Sequence, residues 1–126
     1  AINLIPESTE ALYALAMHYQ NSDNIEGAMD IYYNIIELDV RYVNAHYNLG
    51  YLVYEELRDN ETALKHFENA LTCDSTYATA HYMIGLINEE MKNYSLAQES
   101  YSKALKFETN YDLAIKGLNR LDRAPR

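Results

Sequence analysis

Tryptophan is absent from this chain of 126 residues, cysteine occurs once, proline twice and glycine four times. The lone Cys73 excludes an internal disulfide framework and a cysteine-rich zinc site. Gly27, Gly50, Gly85 and Gly117 stand apart from one another inside helical patterns, so no glycine-rich loop is available to cradle a phosphate. No apolar run approaches the roughly 18–20 residues that a bilayer span needs, and no membrane insertion is expected. Basic residues are scarce, 10 against 19 acids, and the resulting net charge of −9 argues against a nucleic-acid backbone as partner. The deficit is local: residues 1–64 hold Arg41 and Arg58 against eleven acids, whereas residues 65–126 hold eight of each sign. A single thiol suits a reducing cytoplasm and is also compatible with a periplasm.

Catalytic groupings are missing too. His18, His46, His66 and His81 lack carboxylate partners at metal-binding spacing, and the repeat slot shared by His46 and His81 implies a separation near 10 Å, too wide for one ion. Cys73 takes the place of Leu38 and Phe107 in neighbouring segments, which predicts a buried, unreactive thiol. Glu55-Glu56 and Glu89-Glu90 are adjacent on helices, so only one of each pair can face a given cleft. The reading is a protein without enzymatic activity, metal or cofactor.

What the chain has in abundance is tyrosine, thirteen in all, and internal repetition. AHYNLG (45–50) and AHYMIG (80–85) share four of six residues 35 positions apart, and ALYALA (11–16) fits the same frame. Further along each segment come Ala28, Ala63 and Ala97, each followed four residues later by Tyr32, Phe67 or Tyr101. The small residues Ala16, Gly50 and Gly85 mark places where one helix approaches another closely. Leu15, Leu49 and Ile84 continue an apolar stripe at helical spacing. Polar clusters at 21–24, 58–61 and 92–93 read as tight turns, and the extra residue of the middle segment is expected in the loop around Arg58–Glu61. Each segment is thus a helix–turn–helix unit that cannot bury both faces alone and must stack on its neighbours.

These landmarks resemble the tetratricopeptide repeat (TPR) family. The resemblance covers units at 9–42, 43–77 and 78–111, with Leu12, His46 and His81 in the slot usually held by tryptophan. Val40, Ser75 and Thr109 stand where the family has proline. It implies an all-α fold, a right-handed α-α superhelix of antiparallel helix pairs. Residues 1–8 match the tail of an upstream unit's second helix, so the chain reads as part of a longer array, with an ordinary lead-in opened by Pro6 as the other reading. Residues 112–121 form an amphipathic capping helix bearing Ala114, Ile115, Leu118 and Leu121 on one face, and 122–126 form a frayed tail.

In this family the first helix of each unit lines a concave surface. Carried over, that row contains Glu10, Tyr13, Met17 and Gln20, then Asn44, Tyr47, Tyr51 and Tyr54, then Thr79, Tyr82, Leu86 and Glu89. Asn48 lies beside it. The resemblance therefore implies a non-catalytic interaction scaffold whose peptide-binding residues are Tyr13, Met17, Asn44, Tyr47, Asn48, Tyr51, Tyr54, Tyr82, Leu86 and Glu89. Rigid amphipathic rings suit binding, and the nearby acids favour a protein or peptide segment with apolar anchors that is neutral to basic. The competing reading is that these rings only pack against one another. Family members that grip acidic chaperone tails use Lys, Asn, Asn, Lys and Arg. Here those slots hold Tyr13, Met17, Asn48, Thr79 and Met83, so the acidic C-terminal tail of heat-shock chaperones is not the expected partner. A secretion-type chaperone holding an apolar client, a self-associating segment of a longer array, and a module regulating a fused catalytic domain are the alternatives.

Overall fold

A computed structural model describes residues 8–123. Within it the chain is helical throughout, with no strand among the described residues. The helices are α1 (Thr9–Asn21), α2 (Ile25–Leu38), α3 (Val43–Leu52), α4 (Asn60–Cys73), α5 (Ala78–Glu90), α6 (Tyr94–Phe107) and α7 (Asp112–Arg123). Chain contacts divide it into two compact units that meet at His66 and Phe67, halfway along α4. The sequence reading of residues 1–7 and 124–126 lies outside the described residues. Of the segment expected to fray, Asp122 and Arg123 continue α7. Arg120 and Arg123 sit in its last turn, where positive charge opposes the exposed carbonyl end of the helix dipole.

Local chemistry sets the helix limits. The Ser8 hydroxyl accepts from the Ala11 amide at 3.1 Å and opens α1, and the Asn24 side chain does the same for α2 through the Gly27 amide. Asp59 accepts from the Thr62 amide at 3.2 Å ahead of α4. Successive helix pairs are joined by one turn used three times: the amides of Tyr42, Tyr77 and Tyr111 donate to the carbonyls of Asp39, Asp74 and Glu108. That turn forms here without the proline usual in the family.

The turn inside each pair ends on a left-handed residue, Asp23, Arg58 or Lys92. In the outer two, the next amide reaches back five residues, Asn24 to Tyr19 and Asn93 to Asn88, each at 2.8 Å. In the middle one Asp59 reaches back six, to Val53 at 3.4 Å. Asp23 and Lys92 lie seven residues beyond Ala16 and Gly85, whereas Arg58 lies eight beyond Gly50. The surplus residue expected in the loop is instead absorbed within the helix, as a π-helical turn over Val53–Leu57.

In the first unit the core gathers Leu12, Ala16, Ala28, Ile31, Tyr32 and Ile35 with Ala45, Leu49 and Leu52 of α3. In the second, Ala97, Tyr101 and Ala104 of α6 meet Ala114 and Leu121 of α7. The Tyr101 ring lies between two glycines: a Cβ at Gly85 would stand 2.7 Å from it, and one at Gly117 2.6 Å. Gly85 therefore makes room for an aromatic ring, and Gly117 does so from the capping helix. On α7, Ala114, Gly117 and Leu121 are buried and Leu118 is half-buried, while Ile115, expected on the same face, is exposed.

Candidate functional site

His46 and His81 fill the tryptophan slot as buried side chains, each tied to the turn before its own helix. The Nε2 of His46 lies 2.8 Å from the Val40 carbonyl, and that of His81 lies 2.9 Å from the Ser75 carbonyl. A carbonyl only accepts, so Nε2 carries the proton in both rings. Each imidazole thus pins the start of its own helix, α3 or α5. Cys73, expected to be buried, is partly exposed.

On the first unit the row is organised by Asn48. Its amide nitrogen donates to the Tyr13 hydroxyl at 2.9 Å and the Tyr32 hydroxyl at 3.1 Å, with the Met17 sulfur 3.7 Å away. The Tyr32 hydroxyl in turn donates to Gln20 Oε1 at 2.7 Å and has the Met17 sulfur at 3.2 Å. Burial pushes the Tyr32 phenol up to about 12, against the opposing hydrogen bond from Asn48. The Tyr13 ring rests on Tyr32 and Tyr42, at centroid distances of 6.0 and 5.7 Å. Tyr13, Met17, Asn44, Tyr47 and Asn48 are all half-buried, and Tyr51 is 37% exposed.

Tyr54 departs from the expected row: it is only 5% exposed. The π-helical turn supplies the reason. Counting back from the left-handed residue of each turn, Gln20, Glu55 and Glu89 share one position, and Tyr54 falls with Tyr19 and Asn88. The added residue rotates Tyr54 inward and leaves Glu55 exposed in its place.

The second unit repeats the tyrosine–polar pairing with charge added. Tyr101 donates to Glu89 Oε1 at 2.6 Å, as Tyr32 does to Gln20. Arg120 of α7 completes the group, with Nη2 at 2.9 Å from Oε1 and Nε at 2.9 Å from Oε2 of Glu89. The guanidinium, with the Tyr101 hydroxyl assisting against partial desolvation, holds the Glu89 carboxyl below its ordinary range. Glu89, expected to offer negative charge to a ligand, is thus already neutralised by the capping helix. Tyr82 is half-buried against Tyr101 and Tyr111, at 5.7 and 5.3 Å, and Leu86 is half-buried beside it in the row. The Asn48 and Arg120 contacts escaped the sequence reading. A polar residue twelve positions before Tyr32 and again before Tyr101 signals the Gln20 and Glu89 contacts, whereas Asn48 and Arg120 stand at unequal distances, sixteen and nineteen residues after those tyrosines, and leave no shared spacing to find.

Among the described residues no group of three or more His, Cys, Asp or Glu is arranged to hold a metal ion, and no helix is long and apolar enough to cross a membrane. The sequence pattern of the tetratricopeptide repeat matches residues 43–77 and 78–111, more than half of the chain. The chain belongs to the tetratricopeptide repeat family, a class of protein-interaction scaffolds. No curated protein matches it. Among solved structures it is similar to the first TPR of Spaghetti (RPAP3) bound to the HSP90 peptide SRMEEVD, with a TM-score of 0.84 and 18% identity over 98% of this chain and 97% of that one. MamA gives a TM-score of 0.82 and 22% identity over 92% of this chain and 67% of that one. The Sgt2 TPR domain from Aspergillus fumigatus gives 0.80 and 22%, over 94% and 79%. At these identities the likeness establishes the fold.

Proposed function

We propose that the chain is a non-catalytic scaffold that binds a protein segment through apolar anchors on the tyrosine row of its first unit. The observation that carries this reading is the Asn48 hub. By holding Tyr13, Tyr32 and Met17 through hydrogen bonds and sulfur contacts, it fixes one wall of the row. A ring held in place before binding loses little freedom on contact, so more of its contact energy goes to affinity. The contact set is Tyr13, Met17, Asn44, Tyr47 and Tyr51. Tyr54 drops out because it is buried. Tyr82 and Leu86 present similar chemistry on the second unit, where Glu89 is paired with Arg120.

The solved relative that holds an acidic HSP90 peptide shares this fold. Such a ligand suits this chain poorly: of the five clamp positions only Asn48 agrees, and its amide is already given to Tyr13 and Tyr32. The favoured ligand carries aromatic or aliphatic side chains at helical or extended spacing and is neutral or basic.

A random peptide library selected against the chain tests this. Enriched peptides should be rich in aromatic and aliphatic residues and poor in acids. Tyr47→Ala and Tyr51→Ala should each weaken a selected peptide by about 2 kcal/mol, as central anchors do. Unchanged binding by the double variant, with its helical content intact, would refute the proposal.

A further inference from the structure

The second unit carries an open surface hollow of about 200 Å³ that shares no lining residue with the tyrosine row and is bounded by Ser75, His81, Lys103, Lys106 and Phe107. We infer that it is an anion site taking a phosphomonoester group on an aromatic or apolar stem. It does not depend on the reading of the tyrosine row.

Lys103 and Lys106 are three residues apart on α6, and so project from one face. Two ammonium groups there repel one another, and among the described residues neither makes an ion pair. The nearby Asp74 carboxylate is turned toward Thr76, accepting from its amide at 3.0 Å and its hydroxyl at 2.7 Å. Corresponding positions in the earlier helix pairs are Asn69 and Thr72, and Asn34 and Glu37. The paired cations belong to the third pair alone, in a protein whose net charge is −9.

The remaining wall is aromatic. His81 and Phe107 stack with centroids 5.6 Å apart and planes 21° from parallel, and the Lys106 ammonium stands 5.4 Å over the Phe107 ring. The bond from His81 Nε2–H to the Ser75 carbonyl fixes the imidazole plate in place. The shape suits an anion attached to a flat or apolar group. The volume is below the roughly 300–1,000 Å³ of ordinary small-molecule pockets, which limits the ligand to a headgroup and a short stem. A phosphomonoester carries about −1.5 to −2 charges at neutral pH, which matches two cations better than one carboxylate does.

An amide NMR titration of the whole chain with phenyl phosphate and with inorganic phosphate, at low salt and neutral pH, tests the site. Saturable shifts are expected at Ser75, His81 and Phe107, with phenyl phosphate the tighter of the two. The Lys103→Ala/Lys106→Ala variant should bind at least about tenfold more weakly, from two charge-assisted contacts of modest size. Phe107→Ala should abolish the preference for the phenyl compound. A phosphotyrosine peptide that binds more tightly than phenyl phosphate identifies the source as a modified protein, and equal binding identifies a free phosphomonoester. Non-saturating shifts spread equally over Lys65, Lys92 and Lys116 would overturn the site. So would unchanged binding by a double-lysine variant that keeps its helical content.

Discussion

Arg120 grips both carboxylate oxygens of Glu89, joining the capping helix α7 to α5, the first helix of the pair before it. The Arg120 side chain is 45% exposed, so solvent screening limits the contact to about 1 kcal/mol in a double-mutant cycle. The Glu89 carboxyl is lowered in the folded state, so its contribution is present above the unfolded carboxylate value. It is lost as pH falls through the folded one. Glu89→Gln should therefore unfold at a lower temperature than the parent at neutral pH, and the gap should close on acidification below about pH 4. Melting curves followed by circular dichroism across that range check it.

Gly85→Ala and Gly117→Ala each drive a methyl group into the Tyr101 ring, which has no free side to retreat to because the other glycine bounds it. Overpacking of this kind costs about 1–3 kcal/mol. The better helix propensity of alanine returns up to about 1 kcal/mol. Net destabilisation by both variants is expected in urea titrations. A double variant that also carries Tyr101→Leu should recover part of the loss.

Alkaline pH should open the first unit through Tyr32. Its phenol is raised by burial to about 12 in the fold, against about 10 when unfolded. The stability this provides is intact below pH 10 and disappears as pH climbs toward 12. Tyr32→Phe should cost about 1 kcal/mol at neutral pH by removing its hydrogen bonds with Asn48 and Gln20. Above pH 10 the difference from the parent should shrink. Unfolding monitored alongside tyrosinate absorbance gives the readout.

His66 responds at mildly acidic pH. Burial first, and the charge of His46 second, lower its pKa in the fold. The folded state then binds fewer protons than the unfolded chain, so stability falls as pH drops below about 6.5, the unfolded value. His66→Gln should flatten that limb of a plot of Tm against pH while leaving the plateau near pH 8 almost unchanged.

The helix pairs were legible in the sequence because their signals are steric and periodic. Ala16, Gly50 and Gly85 recur in frame, and the paired alanines and aromatics of the second helices follow at fixed distance. The allocation of tyrosines was legible only in part. Tyr32 and Tyr101 read as core residues and are fully buried. What their hydroxyls bond to depends on side chains from the following helices, Asn48 and Arg120, and periodicity carries no information about that. The repeat count also revealed a surplus residue after Gly50. It could not distinguish a longer loop from a wider helical turn, since both give the same spacing, and so it set Tyr54 in the row.

The wide turn over Val53–Leu57 has a practical consequence for alignments. Pairing the middle repeat with the first or third column by column, without a gap inside the third helix, carries contact residues one place out of phase between Val53 and Arg58. Engineering the middle repeat to accept a new ligand should begin by mutating Glu55, since the tyrosine beside it is structural.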